Sequence, residues 1–172
     1  MGRRLSAPWI QVHCAVGFVA WWDDGEHGTA GKGAPDDIRQ AMTVDFLLQF
    51  SRGVSYPAFN NCSDSRNPGN GNSSDGDIVG WMNRGFKWKD IVDTGRRYGI
   101  SVQMTHSDVR YPVSADLTLR NSQRFSPGPN RTVQVVIDQG RPRNVVSDER
   151  GVVTVPAVAF PSPAYRRIEM SY

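Results

Sequence analysis

The chain has 172 residues, the length of one domain or two small modules. Its 20 Lys+Arg against 17 Asp+Glu leave a net charge of +3. That excess is spread along the chain, so it falls short of a nucleic-acid footprint. Hydrophobic residues reach 38%, alongside 17 Gly and 11 Pro. This describes a turn-rich chain that still buries a core, and it excludes a collagen repeat, a coiled coil and wholesale disorder.

The opening Met1-Gly2-Arg3-Arg4, followed by the apolar stretch from Trp9 to Trp22, has the outline of a signal peptide. Gln11 and His13 interrupt the stretch, and no small-x-small cleavage site follows it. It is also shorter than the roughly 20 residues a membrane span needs. A buried strand is the expectation, ending in Asp23-Asp24-Gly25. A helix comes next. Pro35 suits a first helical turn, Asp36 and Asp37 complement the dipole, and Gly53 suits the C-terminal cap. Ile38, Met42, Phe46 and Phe50, with Leu47, make its apolar stripe. From Asn60 to Asp77 the only residue with apolar character is Cys62, which reads as a surface loop.

Beyond that loop the period switches to two. Ile100, Val102 and Met104 alternate with polar residues, as do Val113, Ala115, Leu117 and Leu119. Val133, Val135 and Ile137 repeat the pattern, then Val153 and Val155, then Ile168, Met170 and Tyr172. Turn signals separate them at Ser107-Asp108, Pro127-Gly128-Pro129, Gly140-Arg141-Pro142, Asp148 to Gly151 and Pro161-Ser162-Pro163. Short alternating strands at this spacing predict an antiparallel sandwich or barrel.

Of the three histidines, His27 has the informative setting, in Asp23-Asp24-Gly25-Glu26-His27-Gly28 between strand and helix. Loops at the carboxyl ends of strands carry the reactive groups of open α/β sheets, and an imidazole there suits general acid–base work. The competing reading is a solvated loop histidine. His13 reads as a packed core residue, and His106, ending a strand at a turn, as solvated. No G-x-S-x-G elbow occurs, and Cys14 lies on the expected buried strand, where a thiol is inert. Cys14 and Cys62 have no metal-ligand spacing and read as separate thiols. Asp64 and Asp75-Gly76-Asp77 hint at calcium but lack the spacing and closing Glu of an EF-hand. Neither a metal nor another cofactor is expected.

The segments Ser55-Tyr56-Pro57-Ala58-Phe59-Asn60-Asn61-Cys62-Ser63, Asn67-Pro68-Gly69-Asn70-Gly71 and Asp75-Gly76-Asp77-Ile78-Val79-Gly80 have a familiar order. Phe86-Lys87-Trp88-Lys89-Asp90-Ile91-Val92-Asp93, Asp116 to Phe125, and Gly151-Val152-Val153-Thr154-Val155-Pro156 follow. Together they resemble a bacterial α/β-hydrolase family, akin to prolyl-oligopeptidase-type and acetyl-xylan-esterase-type enzymes, with a β-sandwich after the catalytic domain. Leu119 stands where that family has a proline, and Asn121 where it has a second arginine.

The resemblance implies a mainly β chain: residues 1–53 as the last strand and helix of a hydrolase-like domain, 54–77 as a polar loop, and 78–172 as the sandwich. It places His27 at the catalytic histidine of a serine triad. In that fold the serine and the acid precede the histidine, and only 26 residues precede His27 here. The expectation is therefore a C-terminal portion of a serine hydrolase, inactive alone, from a truncated or split gene. Its expected partner is a hydrolase segment, or another chain, packing on the helix of residues 38–50; neither nucleic acid nor membrane is expected. The alternative is an accessory β-sandwich that binds substrate, carbohydrate or a partner without catalysis. Trp81, Phe86, Trp88 and Tyr98 would be its platform, unless they are ordinary packing residues.

Overall fold

A computed structural model describes residues 20–21, 53–64, 81–82, 85–106 and 109–172. Within them the protein is mainly β, with no helix. The expected strand–loop–helix of residues 1–53 falls almost wholly outside the described residues. Its described part is a two-residue strand β1 (Ala20–Trp21), paired antiparallel with β3 (Trp81–Met82).

The rest forms two antiparallel sheets. One has five strands: β4 (Phe86–Asp93), β5 (Arg97–Met104), β10 (Arg166–Ser171), β7 (Thr132–Ile137) and β8 (Arg143–Val146), in that spatial order. The other has three: β2 (Tyr56–Asn60), β6 (Val113–Arg120) and β9 (Thr154–Phe160). Strand β2 falls within the stretch 54–77, read from sequence as a loop. Pro57 makes it look like a turn, but β2 stands at the end of its sheet, where a missing N–H is tolerated.

The alternation predicted from residue 98 onward is correct in phase. Ile100, Val102, Val133, Val135, Leu117, Val155 and Ile168 are fully buried, and their neighbours in sequence mostly face outward. The two sheets bury these faces against each other in a single cluster. Phe59 from the three-stranded sheet stacks on Phe86 of the five-stranded one, ring centres 3.9 Å apart. Phe160 meets Phe86 edge-on at 5.7 Å. These rings join the two layers.

Two bulges shape the sheets. In β4, Lys89 and Val92 pair with Ser101 and Gly99, so β4 carries one extra residue, and Asp90 takes a positive φ of 53°. In β9, Val155 and Val158 pair with Leu117 and Ala115, and Ala157 takes φ 49°. The Asp116 carboxylate fixes this second bulge. One oxygen accepts the Ala157 N–H at 2.8 Å, and the other accepts the Asn61 amide at 2.7 Å.

Aspartates also tie down the loops. Asp93 accepts the N–H groups of Gln123, Arg124 and Phe125 at 2.5, 3.2 and 2.7 Å, seating Phe125 in the core. Asp148 accepts from Arg150 and Val152, closing its turn.

Candidate functional site

His27, His13, Cys14 and the carboxylates Asp75 and Asp77 lie outside the described residues. His106, expected to be solvated, is instead buried, with its side chain wholly covered. The cause is the tail of β2. Ser63 donates its N–H to the Ser114 carbonyl, and its hydroxyl accepts the Ser114 N–H. That anchor sets Asp64 at 2.5 Å from His106 Nε2. The Asp64 carboxylate weighed for calcium thus engages an imidazole through Oδ2. A general base has to reach the proton it removes, and a ring sealed from solvent cannot. This pair links the segment after β2 to the residues just beyond β5.

The proposed aromatic platform is not brought together on the surface. Phe86 and Tyr98 are core residues, and Trp88 is half-buried against the same cluster. Trp81 lies in β3, which pairs with β1 in a separate two-stranded sheet. The Tyr98 hydroxyl shares a hydrogen bond of 2.7 Å with Ser55 Oγ, which also lies 3.2 Å from the Arg120 carbonyl oxygen. Burial pushes the phenol up to about 12, helped by the Asp93 carboxylate and opposed by the Ser55 hydrogen bond.

What stands open is the outer face of the five-stranded sheet. A hollow of about 420 Å³ lies there, lined among others by Val92, Arg97, Gly99, Gln134, Arg167 and Glu169. Gly99 makes the room. A Cβ at this position would sit 2.2 Å from the Arg167 guanidinium, so only glycine lets that arginine lie flat across β5. The guanidinium is held there by the Asp90 carbonyl, which accepts from its Nη1 at 2.7 Å. The β4 bulge aims that carbonyl. Glu169 flanks the guanidinium at 3.7 Å, a half-exposed contact that screening leaves weak.

No protein family, curated protein or solved structure matches this chain.

The same face gathers other unusual residues. Val92, Val146 and Tyr165 are three of the four large hydrophobic side chains left exposed among the described residues. Val92 and Val146 share its outward phase, and Tyr165 immediately precedes β10. Lys89 Nζ sits 4.5 Å from the centre of the Tyr165 ring, a cation–π contact at the edge of the face. Lys87 and Lys89 of β4 point the same way as Arg97 and Arg167. This surface offers a guanidinium held in place, further cations, amides and exposed apolar groups, with no base beside a nucleophile among the described residues. Sequence reasoning passed over it because its residues are the polar half of each alternation. The signal was present in the odd-numbered residues 97–103 and 165–171. Nothing in the sequence placed those two strands side by side.

Among the described residues, no helix is long and apolar enough to cross a membrane.

Proposed function

We propose that the chain is the C-terminal portion of a serine-hydrolase-like protein, and that its β-sandwich binds rather than cleaves. The observation that carries the binding part is the guanidinium of Arg167, laid over Gly99 and held by the Asp90 carbonyl in an open hollow. A charged group fixed in place before a ligand arrives loses little entropy on binding. The hydrolase part rests on the ordered motifs from Ser55 to Pro156 and on the loop Asp24-Gly25-Glu26-His27-Gly28. In that reading His27 takes a proton from a serine and returns it to the leaving group. No serine of this chain stands in an elbow of the required pattern, so the partner serine comes from another segment.

The test is hydrolysis of p-nitrophenyl acetate by the purified chain and by its His27→Ala variant. The expected result is a slow, linear rate that barely changes with the substitution. A burst followed by saturation kinetics, abolished in His27→Ala, would overturn the non-catalytic reading.

A further inference from the structure

We infer that the hollow over Gly99 binds a small zwitterion, an α-amino acid with an aliphatic side chain. This rests on the binding reading above and names the ligand class.

Charge in the hollow is arranged as neighbouring opposites. The Arg167 guanidinium lies in the space that a side chain at residue 99 would fill. Strand β5 therefore carries two cations on this face, at the positions of Arg97 and Gly99, about 7 Å apart at the usual rise. The adjoining strand β10 sets Glu169 beside Gly99 and Ser171 beside Arg97. On β7, Val136 pairs with Glu169 and Gln134 with Ser171. On the other side, Val92 of β4 pairs with Gly99. A column of two cations thus runs alongside one acid, with an aliphatic side chain at each flank.

Both kinds of charge keep capacity for a ligand. The Asp90 carbonyl takes one N–H of the Arg167 guanidinium, which has further donors to offer. Glu169 is 61% exposed, and its 3.7 Å contact with Arg167 Nε is too long for a hydrogen bond.

This arrangement discriminates among small ligands. A plain anion gains from the arginines but faces Glu169, and a plain cation meets the reverse. A neutral polyol dehydrates both kinds of charge and neutralises neither. An α-amino acid carries its carboxylate and ammonium on one carbon, so a single placement answers both. The carboxylate sits between the two guanidiniums, whose fork matches it. The ammonium then falls on the β10 side, donating to Glu169 and to the side-chain oxygen of Gln134. Val92 or Val136 covers the aliphatic side chain. The volume of about 420 Å³ admits such a molecule.

The experiment is an amide NMR titration of the nitrogen-15-labelled full chain with L-leucine, N-acetyl-L-leucine, L-leucinamide or inorganic phosphate. Leucine is expected to give saturable shifts at the amides of Gly99, Glu169 and Ser171. The acetylated and amidated forms each lack one charge and should bind about tenfold more weakly or worse. Arg97 and Glu169 are both exposed, and the same spectra report whether their variants fold. Arg97→Gln should weaken leucine by about tenfold. Glu169→Gln should weaken leucine similarly, yet leave N-acetyl-leucine binding no weaker than in the native chain. N-acetyl-leucine or phosphate binding as tightly as leucine would overturn the zwitterion inference while leaving the binding reading intact. Leucine binding indifferent to both substitutions, or shifts confined to residues away from the hollow, would also overturn it. Silence from every probe would overturn it too, and would count against the binding reading as well.

Discussion

Replacing Tyr98 with phenylalanine should lower stability at neutral pH and raise it, relative to the native chain, in strong base. At neutral pH the substitution removes one buried hydrogen bond, between the phenol and Ser55 Oγ. Ser55 keeps its bond to the Arg120 carbonyl, so the loss should be about 1 kcal/mol. In base the balance reverses. The folded chain holds the Tyr98 proton up to about 12, against 10.0 for the ordinary phenol. The contribution of neutral Tyr98 is therefore intact below pH 10 and drains away as the pH climbs toward 12, since the unfolded chain ionises first. Two pH units at about 1.4 kcal/mol each amount to roughly 2.7 kcal/mol over the whole window. By about pH 11.5 some 1.9 kcal/mol of that should be gone. Phenylalanine has no proton to lose, so the two stability curves should cross between about pH 10.5 and 11. Urea unfolding followed by circular dichroism, at pH steps from 8 to 11.5, measures the difference. Every other ionisable group is the same in both proteins and cancels in the difference. A native-minus-variant difference that stays constant across that range would refute the burial argument.

Two further substitutions probe the bulges and loop anchors. Asp93→Ala removes the acceptor for three successive N–H groups and should cost roughly 2–3 kcal/mol, with faster hydrogen exchange at the Phe125 amide. Asp93→Asn should recover only part, because its amide NH2 faces an N–H where a carboxylate oxygen stood. Ala157→Gly should stabilise the chain by roughly 0.5 kcal/mol: relief of about 1–2 kcal/mol of left-handed strain outweighs glycine's extra unfolded-state freedom. A lower urea midpoint for that variant would mean the bulge imposes no strain on alanine.

Much of the sandwich was legible because burial on one face forces period two on the sequence, and Ile100 to Met104 or Val113 to Leu119 cannot change phase without exposing the core. The turns at Pro127-Gly128-Pro129 and Pro161-Ser162-Pro163 fall between strands as their chemistry demands. Strand β2 was not legible, since proline in a five-residue segment carries the signature of a turn and only an end position in a sheet redeems it. His106 was misjudged for a related reason. Its neighbours Ser107-Asp108 signal a turn, while what covers it comes from Ser63 and Asp64, more than forty residues earlier. The candidate face was the least visible. Arg97 and Arg167 are seventy residues apart in sequence, and only the pairing of β5 with β10 makes them neighbours. His27, the residue the sequence reading singled out, lies outside the described residues.

The extra residue in β4 has a consequence for solubility. Among the described residues β4 is the terminal member of its sheet, and a straight border strand is the kind that recruits strands from other molecules. Inserting Asp90 breaks the repeat midway, so an incoming strand would match one half or the other but never both. Lys87 and Lys89 add charge to the same border. A single insertion thus does two things, aiming a carbonyl at Arg167 and interrupting the repeat that an added strand would have to match.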